Sequence, residues 1–317
     1  MYIFDQAYVE QNLTTAACIR IMEDVLKQER EKTVTQYLRT AIPLPNTNIL
    51  GIMPGYSEKG YFGAKILSVY HTNGGTGYSS HQGEIILFGK EHGEVLAVVD
   101  AMSVTRIRTG AVSAVASRVL ARKNAKTLAI LGCGVQGYSH FEAMAEVFGL
   151  TEVYTWDVSE EASQKLADRA ERKGIRGIPC STVEEAVRQA DIICTVTPSK
   201  VPILRNEWVQ PGTHVNAVGA CAPADRELDS ELSTRSRFFG DNLESVLHES
   251  GDFLIPMKEG CYGEEHLAGV IGDVLTGKTK GRTSEEEVTV FEALGMAVED
   301  IACAIYLYEQ AKEAENR

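Results

Sequence analysis

A chain of 317 residues with 44% hydrophobic and 24% charged side chains has an ordinary globular composition and length enough for about two domains. Thirty-one Lys and Arg against 44 Asp and Glu leave a formal charge of −13, a field that repels phosphate backbones and anionic lipid. No apolar run approaches the roughly 20 residues that cross a bilayer, so neither nucleic acid nor membrane is expected as a partner.

In chain order, the opening MYIFDQAYVE lacks the basic segment and apolar core of a signal peptide, and the protein reads as cytoplasmic. Residues 14–30 then place Ala17, Ile21, Asp24-Val25 and Gln28 at spacings of three and four, which predicts an amphipathic helix. Strands are expected at 49–53 and 63–70, interrupted by the turn signal Pro54-Gly55. Strands at 84–88 and 95–99 flank Gly89-Lys90-Glu91-His92-Gly93, so a hairpin is expected. Residues 103–122 carry Ala, Val and Leu at helical spacing and end in basic residues.

The texture changes near residue 124. Strands at 127–131, 152–156, 191–196 and 214–218, and a short one at 238–239, alternate with helices at 138–148, 159–173 and 183–190. That alternation calls for an α/β unit, a parallel sheet with helices on both faces. A final helix is predicted over 284–312, opened by Ser284-Glu285-Glu286-Glu287. Its apolar face (Val288, Phe291, Ala297, Ile301, Ile305) should pack on the first domain or on a second subunit.

The strongest local signal is Gly132-Cys133-Gly134-Val135-Gln136-Gly137, directly after a strand and opening a helix. Glycines there permit a tight turn and close approach of a pyrophosphate, which sits on the helix N-terminus. Asp157 ends the next strand, twenty residues beyond Gly137, where a carboxylate accepts hydrogen bonds from adenosine ribose hydroxyls. With no Arg or Lys in Val158-Ser159-Glu160-Glu161, Asp157 also favours NAD over NADP.

Arg39, Lys65 and the pair Arg106 and Arg108 are candidate cations for an anionic substrate, each readable instead as a surface charge or structural ion pair. Lys65 stands out, because a lysine between apolar strand residues needs a buried partner or a cleft. Val218-Gly219-Ala220-Cys221 follows a strand end on the side of the glycine-rich turn. Cys221 could face the nicotinamide there, though a small neutral filler is the simpler role. His71, His81 and His92 read as solvated loop or hairpin residues. The seven cysteines form no CxxC pair and no Cys/His cluster at zinc spacing, so no metal is expected.

These patches together resemble the ornithine cyclodeaminase/mu-crystallin family along nearly the whole chain. The resemblance runs through Met53-Pro54, Gly63-Ala64-Lys65, the stretch His81-Gln82-Gly83-Glu84, Arg108-Thr109-Gly110-Ala111 and the glycine-rich turn. It continues through His214-Val215-Asn216-Ala217 and Arg226-Glu227-Leu228, and closes with Gly295-Met296-Ala297-Val298-Glu299-Asp300. It implies a Rossmann-type NAD-binding domain at 119–287. It also implies an α+β domain for substrate binding and dimerisation, made from 1–118 with 288–317 and completed by the C-terminal helix. On that resemblance Lys65 takes the catalytic position, and Arg39, Met53, Gln82, Arg108 and Cys221 line the substrate. The implied cofactor positions are Thr109, Gly132, Gly134, Val135, Gln136, Gly137, Asp157, Thr195, Val218, Gly219 and Ala220.

The family holds several chemistries. Its cyclodeaminases, and an archaeal alanine dehydrogenase branch, carry an aspartate where this chain has Cys221. A thiol cannot anchor and relay a proton for a substrate ammonium as a carboxylate does. Asp225 lies four residues away beyond Pro223, an offset that moves a side chain by many ångströms. The expected activity is therefore NAD(P)H-dependent reduction of the C=N bond of a small imino acid by a homodimer. Ornithine cyclodeamination with catalytic NAD is the alternative within the family. A nicotinamide-nucleotide-binding protein without turnover is the alternative of another class.

Overall fold

The structure, a computed structural model, describes residues 1–73 and 76–316; the side chain of His71 also lies outside the described residues. Two compact units divide the chain, one formed by residues 1–108 with the segment from 295 onward, the other by 109–294.

The first unit opens with β1 (Tyr2–Phe4), α1 (Gln6–Asn12) and α2 (Thr15–Arg30). Thr14 caps α2, its Oγ1 accepting the Ala17 N–H at 3.2 Å. β2 (Val34–Gln36), β3 (Thr40–Pro43), β4 (Ile49–Ser57), β5 (Tyr61–Val69), β6 (His81–Gly89) and β7 (Val95–Asp100) follow. Among the described residues these seven strands form one sheet in the order β1-β7-β6-β5-β4-β2, with β3 also on β4. The expected break at Pro54-Gly55 does not occur, and β4 runs straight through it. Along one edge β3 pairs with β4 only as far as Ile52 and β2 takes over at Gly55. Pro54, which has no N–H to give, falls in that gap.

Helix α3 (Ala101–Leu120) carries the chain into the second unit, the boundary falling between Arg108 and Thr109. Strand and helix then alternate through β8 (Thr127–Leu131), α4 (Val135–Val147), β9 (Glu152–Trp156), α5 (Glu160–Glu171), β10 (Arg176–Pro179), α6 (Val183–Val187) and β11 (Ile192–Thr195). After β12 (His214–Ala217) come α7 (Ser230–Arg235), β13 (Arg237–Gly240), α8 (Leu243–Glu249), α9 (Gly251–Lys258), β14 (Leu267–Val270), α10 (Ile271–Leu275) and β15 (Thr289–Glu292). Among the described residues eight strands pair, all parallel, in the order β10-β9-β8-β11-β12-β15-β13-β14. From β8 the chain winds outward one way to β10, then returns to β8's other side as β11. That reversal puts a crevice at the carboxyl ends of β8 and β11, the usual ligand position of such sheets.

The single helix expected over 284–312 is corrected by the structure. Ser284 and Glu287 close a tight turn, with the Glu287 N–H on Ser284 Oγ at 3.1 Å and the Ser284 N–H on Glu287 Oε1 at 2.7 Å. Val288 and Phe291 are core residues at and within β15, between β12 and β13; buried on both faces, that strand shows no alternation to reveal it. Gly295, at φ +83°, turns the chain, and α11 (Ala297–Glu315) begins after it. The return to the first unit thus starts at 295 rather than 288, and the crossing into the second lies at 108/109 rather than 118/119. Helix α11 lies against α2 and across β4, β5 and β6.

Candidate active site

In the first unit, strand register sets Met53, Lys65, Ile85 and Val99 side by side across β4, β5, β6 and β7. Cross-strand neighbours share a face, so Lys65 rises from an otherwise apolar row and is only 3% exposed. Its Nζ is 2.6 Å from Asp300 Oδ2 and donates to Thr105 Oγ1 at 3.4 Å. Arg108 comes from α3 and is also buried. Its Nε donates to Asp300 Oδ1 at 3.2 Å and its Nη1 to Glu299 Oε2 at 2.9 Å. Arg39 Nη2 donates to the Gly295 carbonyl at 3.2 Å. Three cations far apart in sequence therefore converge on residues 295–300, at the start of α11.

Of the first unit's other sequence candidates, all but Met53 fall elsewhere. Arg106 makes a half-exposed pair with Glu10 at 2.8 Å. Gln82 pairs with Ser68, which stands on the opposite side of β5 from Lys65; strand alternation removes it from that face and leaves it exposed. Met53 is buried beside Lys65. His81 and His92 are exposed, as solvated histidines should be.

Charges in the cluster shape one another. Burial pulls the Lys65 ammonium down to about 8, against the opposing pull of Asp300. Burial works against the Arg108 charge too, but Asp300 and Glu299 hold it above its ordinary value. Asp300, disfavoured by burial, is held below the usual carboxylate range by Lys65 and Arg108. The result is a cluster in which three cations stand against two buried carboxylates.

The second unit carries the glycine-rich turn between β8 and α4. Gly132 sits at φ +101°, and a Cβ on Gly137 would lie 2.3 Å from the Gly132 carbonyl oxygen, so both positions need glycine. A Cβ on Gly134 would meet nothing within 4 Å, which leaves room for a phosphate. Gly134 caps α4 without a side chain, and Val135 is exposed. These features fit a pyrophosphate held by the first-turn N–H groups. His140 Nδ1 lies 2.8 Å from the Gln136 carbonyl, and burial pushes its pKa down to about 4, so it braces the turn as a neutral ring. Asp157 accepts the Cys133 N–H at 2.6 Å and the Ser159 N–H at 2.8 Å, one on each oxygen. Its neighbour Val158 is 91% exposed.

Beyond the neighbouring strand ends, buried Glu227 ties two loops. Its Oε1 accepts from Thr197 N at 2.8 Å and Thr197 Oγ1 at 2.6 Å, and its Oε2 from Gly219 N at 2.8 Å. Thr195 ends β11 and is buried, as are Thr109 on α3 and Val218 and Ala220 after β12. Cys221 is exposed, its thiol on the Val218 carbonyl at 3.4 Å. Asp225 lies in the next turn, closed by its own N–H on Ala222 O at 3.0 Å.

The profile of the ornithine cyclodeaminase/mu-crystallin family matches residues 2–315. The chain belongs to that family. It is 40% identical over 278 residues to the ketimine reductase mu-crystallin of Mus musculus, covering 87% of this chain and 85% of that one. Its fold is that of the Thermococcus litoralis Delta(1)-pyrroline-2-carboxylate reductase solved with NADH and L-proline. The TM-score is 0.96 and identity 32%, over 99% of this chain and 98% of that one. An archaeal alanine dehydrogenase dimer with bound NAD superposes with a TM-score of 0.95 at 33% identity, over 99% of this chain and 97% of that one. Two features of this family member escaped the sequence reading, the Glu299-Asp300 pair under the cations and the Glu227 strap. Both lay inside stretches that carried the resemblance, but nothing local marked either acid as buried.

Among the described residues no helix is long and apolar enough to cross a membrane, and no group of His, Cys, Asp or Glu could hold a metal ion.

Proposed function

We propose that this chain is an NADH-dependent reductase of the C=N bond of a small imino acid, such as pyrroline-2-carboxylate or piperideine-2-carboxylate. The observation that carries the reading is the buried set of Lys65 and Arg108 with Arg39 on the same segment, two arginines for a carboxylate and one lysine able to give up a proton. Arg39 and Arg108 grip the substrate carboxylate, and Lys65 protonates the imine nitrogen. The reduced nicotinamide, when bound to the second unit, supplies the hydride for the imine carbon. Similarity to a ketimine reductase and to a pyrroline-2-carboxylate reductase supports the same reaction class.

Asp157 beside the exposed Val158 favours NADH, because a 2′-phosphate would meet a carboxylate and no cation. Cys221 offers no carboxylate for an ammonium, which counts against ornithine cyclodeamination. The working form is a homodimer. On the sheet face opposite Lys65, Ile3, Ile42 and Ile66 are 74%, 39% and 37% exposed, an apolar surface that a second copy would cover.

The test follows NADH oxidation with pyrroline-2-carboxylate, with piperideine-2-carboxylate and with pyruvate plus amines, beside ornithine with NAD. Oxidation with an imino acid is the expected result. Ammonia and proline from ornithine with catalytic NAD would overturn the reading, as would nucleotide binding without turnover on any substrate.

A further inference from the structure

We propose that Asp300 is a positioning residue for imine reduction, its carboxylate fixing the Lys65 ammonium and the Arg108 guanidinium in one arrangement and keeping Lys65 in its proton-donating form. The proposal rests on the imine-reductase reading above. Asp300 is fully buried and spends one oxygen on each cation, Oδ2 at 2.6 Å from Lys65 Nζ and Oδ1 at 3.2 Å from Arg108 Nε. Glu299, one residue earlier, takes the other end of the same guanidinium at 2.9 Å and also accepts the Met296 N–H at 3.3 Å. The first turn of α11 is thus a clamp whose two acids set where the cations stand.

The groups facing Lys65 come from every element around it. β4, β6 and β7 present Met53, Ile85 and Val99, which strip water from the ammonium. Arg108 on α3 and Arg39 before β3 repel it, and Thr105 gives a neutral contact. One turn along α11, Cys303 is held protonated by its contact with Cys18 and by burial, and adds no charge. Asp300 is the acid that offsets all of these. In the reaction Lys65 Nζ gives its proton to the imine nitrogen as the carbon accepts hydride, is left neutral, and regains a proton from solvent. Without the Asp300 charge the same lysine, still buried beside two arginines, would lose its proton at a lower pH and could not donate it.

The test uses Asp300→Asn in the full chain, with NADH oxidation on pyrroline-2-carboxylate followed from about pH 6 to about pH 10. In the unmodified protein we expect kcat to fall along a basic limb near pH 8. In Asp300→Asn that limb should move down by roughly one pH unit or more, so that kcat at about pH 8 falls roughly fivefold or more. Trace acetylation of Lys65, read by peptide mass spectrometry across the same pH range, should show the same downward shift without any turnover. A merely structural role would lower the melting temperature and raise KM while leaving both midpoints in place, and that result overturns the proposal. If the unmodified protein reduces no imino acid, the reductase reading fails first. If it does and the Asp300→Asn limb is unmoved, only the present proposal fails. Should Asp300→Asn not melt cooperatively, Asp300→Glu carries the test, since it keeps the charge but shifts the carboxylate by a methylene. Its limb should stay near that of the unmodified protein while kcat falls roughly tenfold, and an unchanged kcat overturns the proposal.

Discussion

Asp157 serves the fold with both of its carboxylate oxygens. Each of its oxygens accepts a backbone N–H, from Cys133 and Ser159, so the carboxylate is held at the mouth of the glycine-rich turn before any nucleotide arrives. A carboxylate oxygen has room for a further hydrogen bond, which leaves capacity for ribose hydroxyls. Replacing Asp157 by Ser and Val158 by Arg should therefore move preference from NADH toward NADPH, measured as the ratio of dissociation constants. If the unmodified protein already binds NADPH about tenfold more tightly, the ribose assignment is wrong. The same residue explains why this part of the candidate site could be proposed from the sequence. Gly132, Gly134, Gly137 and Asp157 act through local geometry, so their spacing alone carries the information. Asp300 acts through partners that are 192 residues away in the case of Arg108, and no local pattern could have named it.

Among the elements, the strand ends of the second unit depend on the Glu227 strap. Burial raises the Glu227 pKa, while the donors on Thr197 and Gly219 favour its ionised form. Glu227→Gln keeps the shape but sets an amide N–H against one of those donors. Leaving a buried donor unmade costs about 1–3 kcal/mol, so NADH affinity should fall roughly tenfold or more, read by a fluorescence titration. An unchanged affinity would show that the loops after β11 and β12 hold their positions without it. Alternation of strand and helix was readable here because short apolar runs such as Thr127–Leu131 and Ile192–Thr195 stand between helices of clear period. Thr289–Glu292 was not, because a four-residue strand buried at every position, directly after the acidic run 285–287, was read as part of the helix expected there. The same limit hid the continuity of β4, whose proline is tolerated only because two partner strands exchange places beside it.

At the scale of the whole molecule, the exposed isoleucines on the first unit's sheet bear on assembly. Ile66→Asp places a charge in that apolar surface and should convert a dimer to a monomer by light scattering, with the melting temperature falling only as far as lost association requires. A monomeric unmodified protein would refute the dimer. The position of the acid clamp has a further consequence, for biosynthesis. Residues 295–300 leave the ribosome after the whole parallel-sheet unit, yet they neutralise Lys65 and Arg108, which were made long before. Until they emerge, burying the cations of the nascent first unit would leave them without a partner acid, a strongly unfavourable state. The early strands therefore gain their final packing only when α11 arrives. A chain released prematurely before residue 295 could carry a complete parallel sheet, and so retain nucleotide, while lacking the group that arms Lys65.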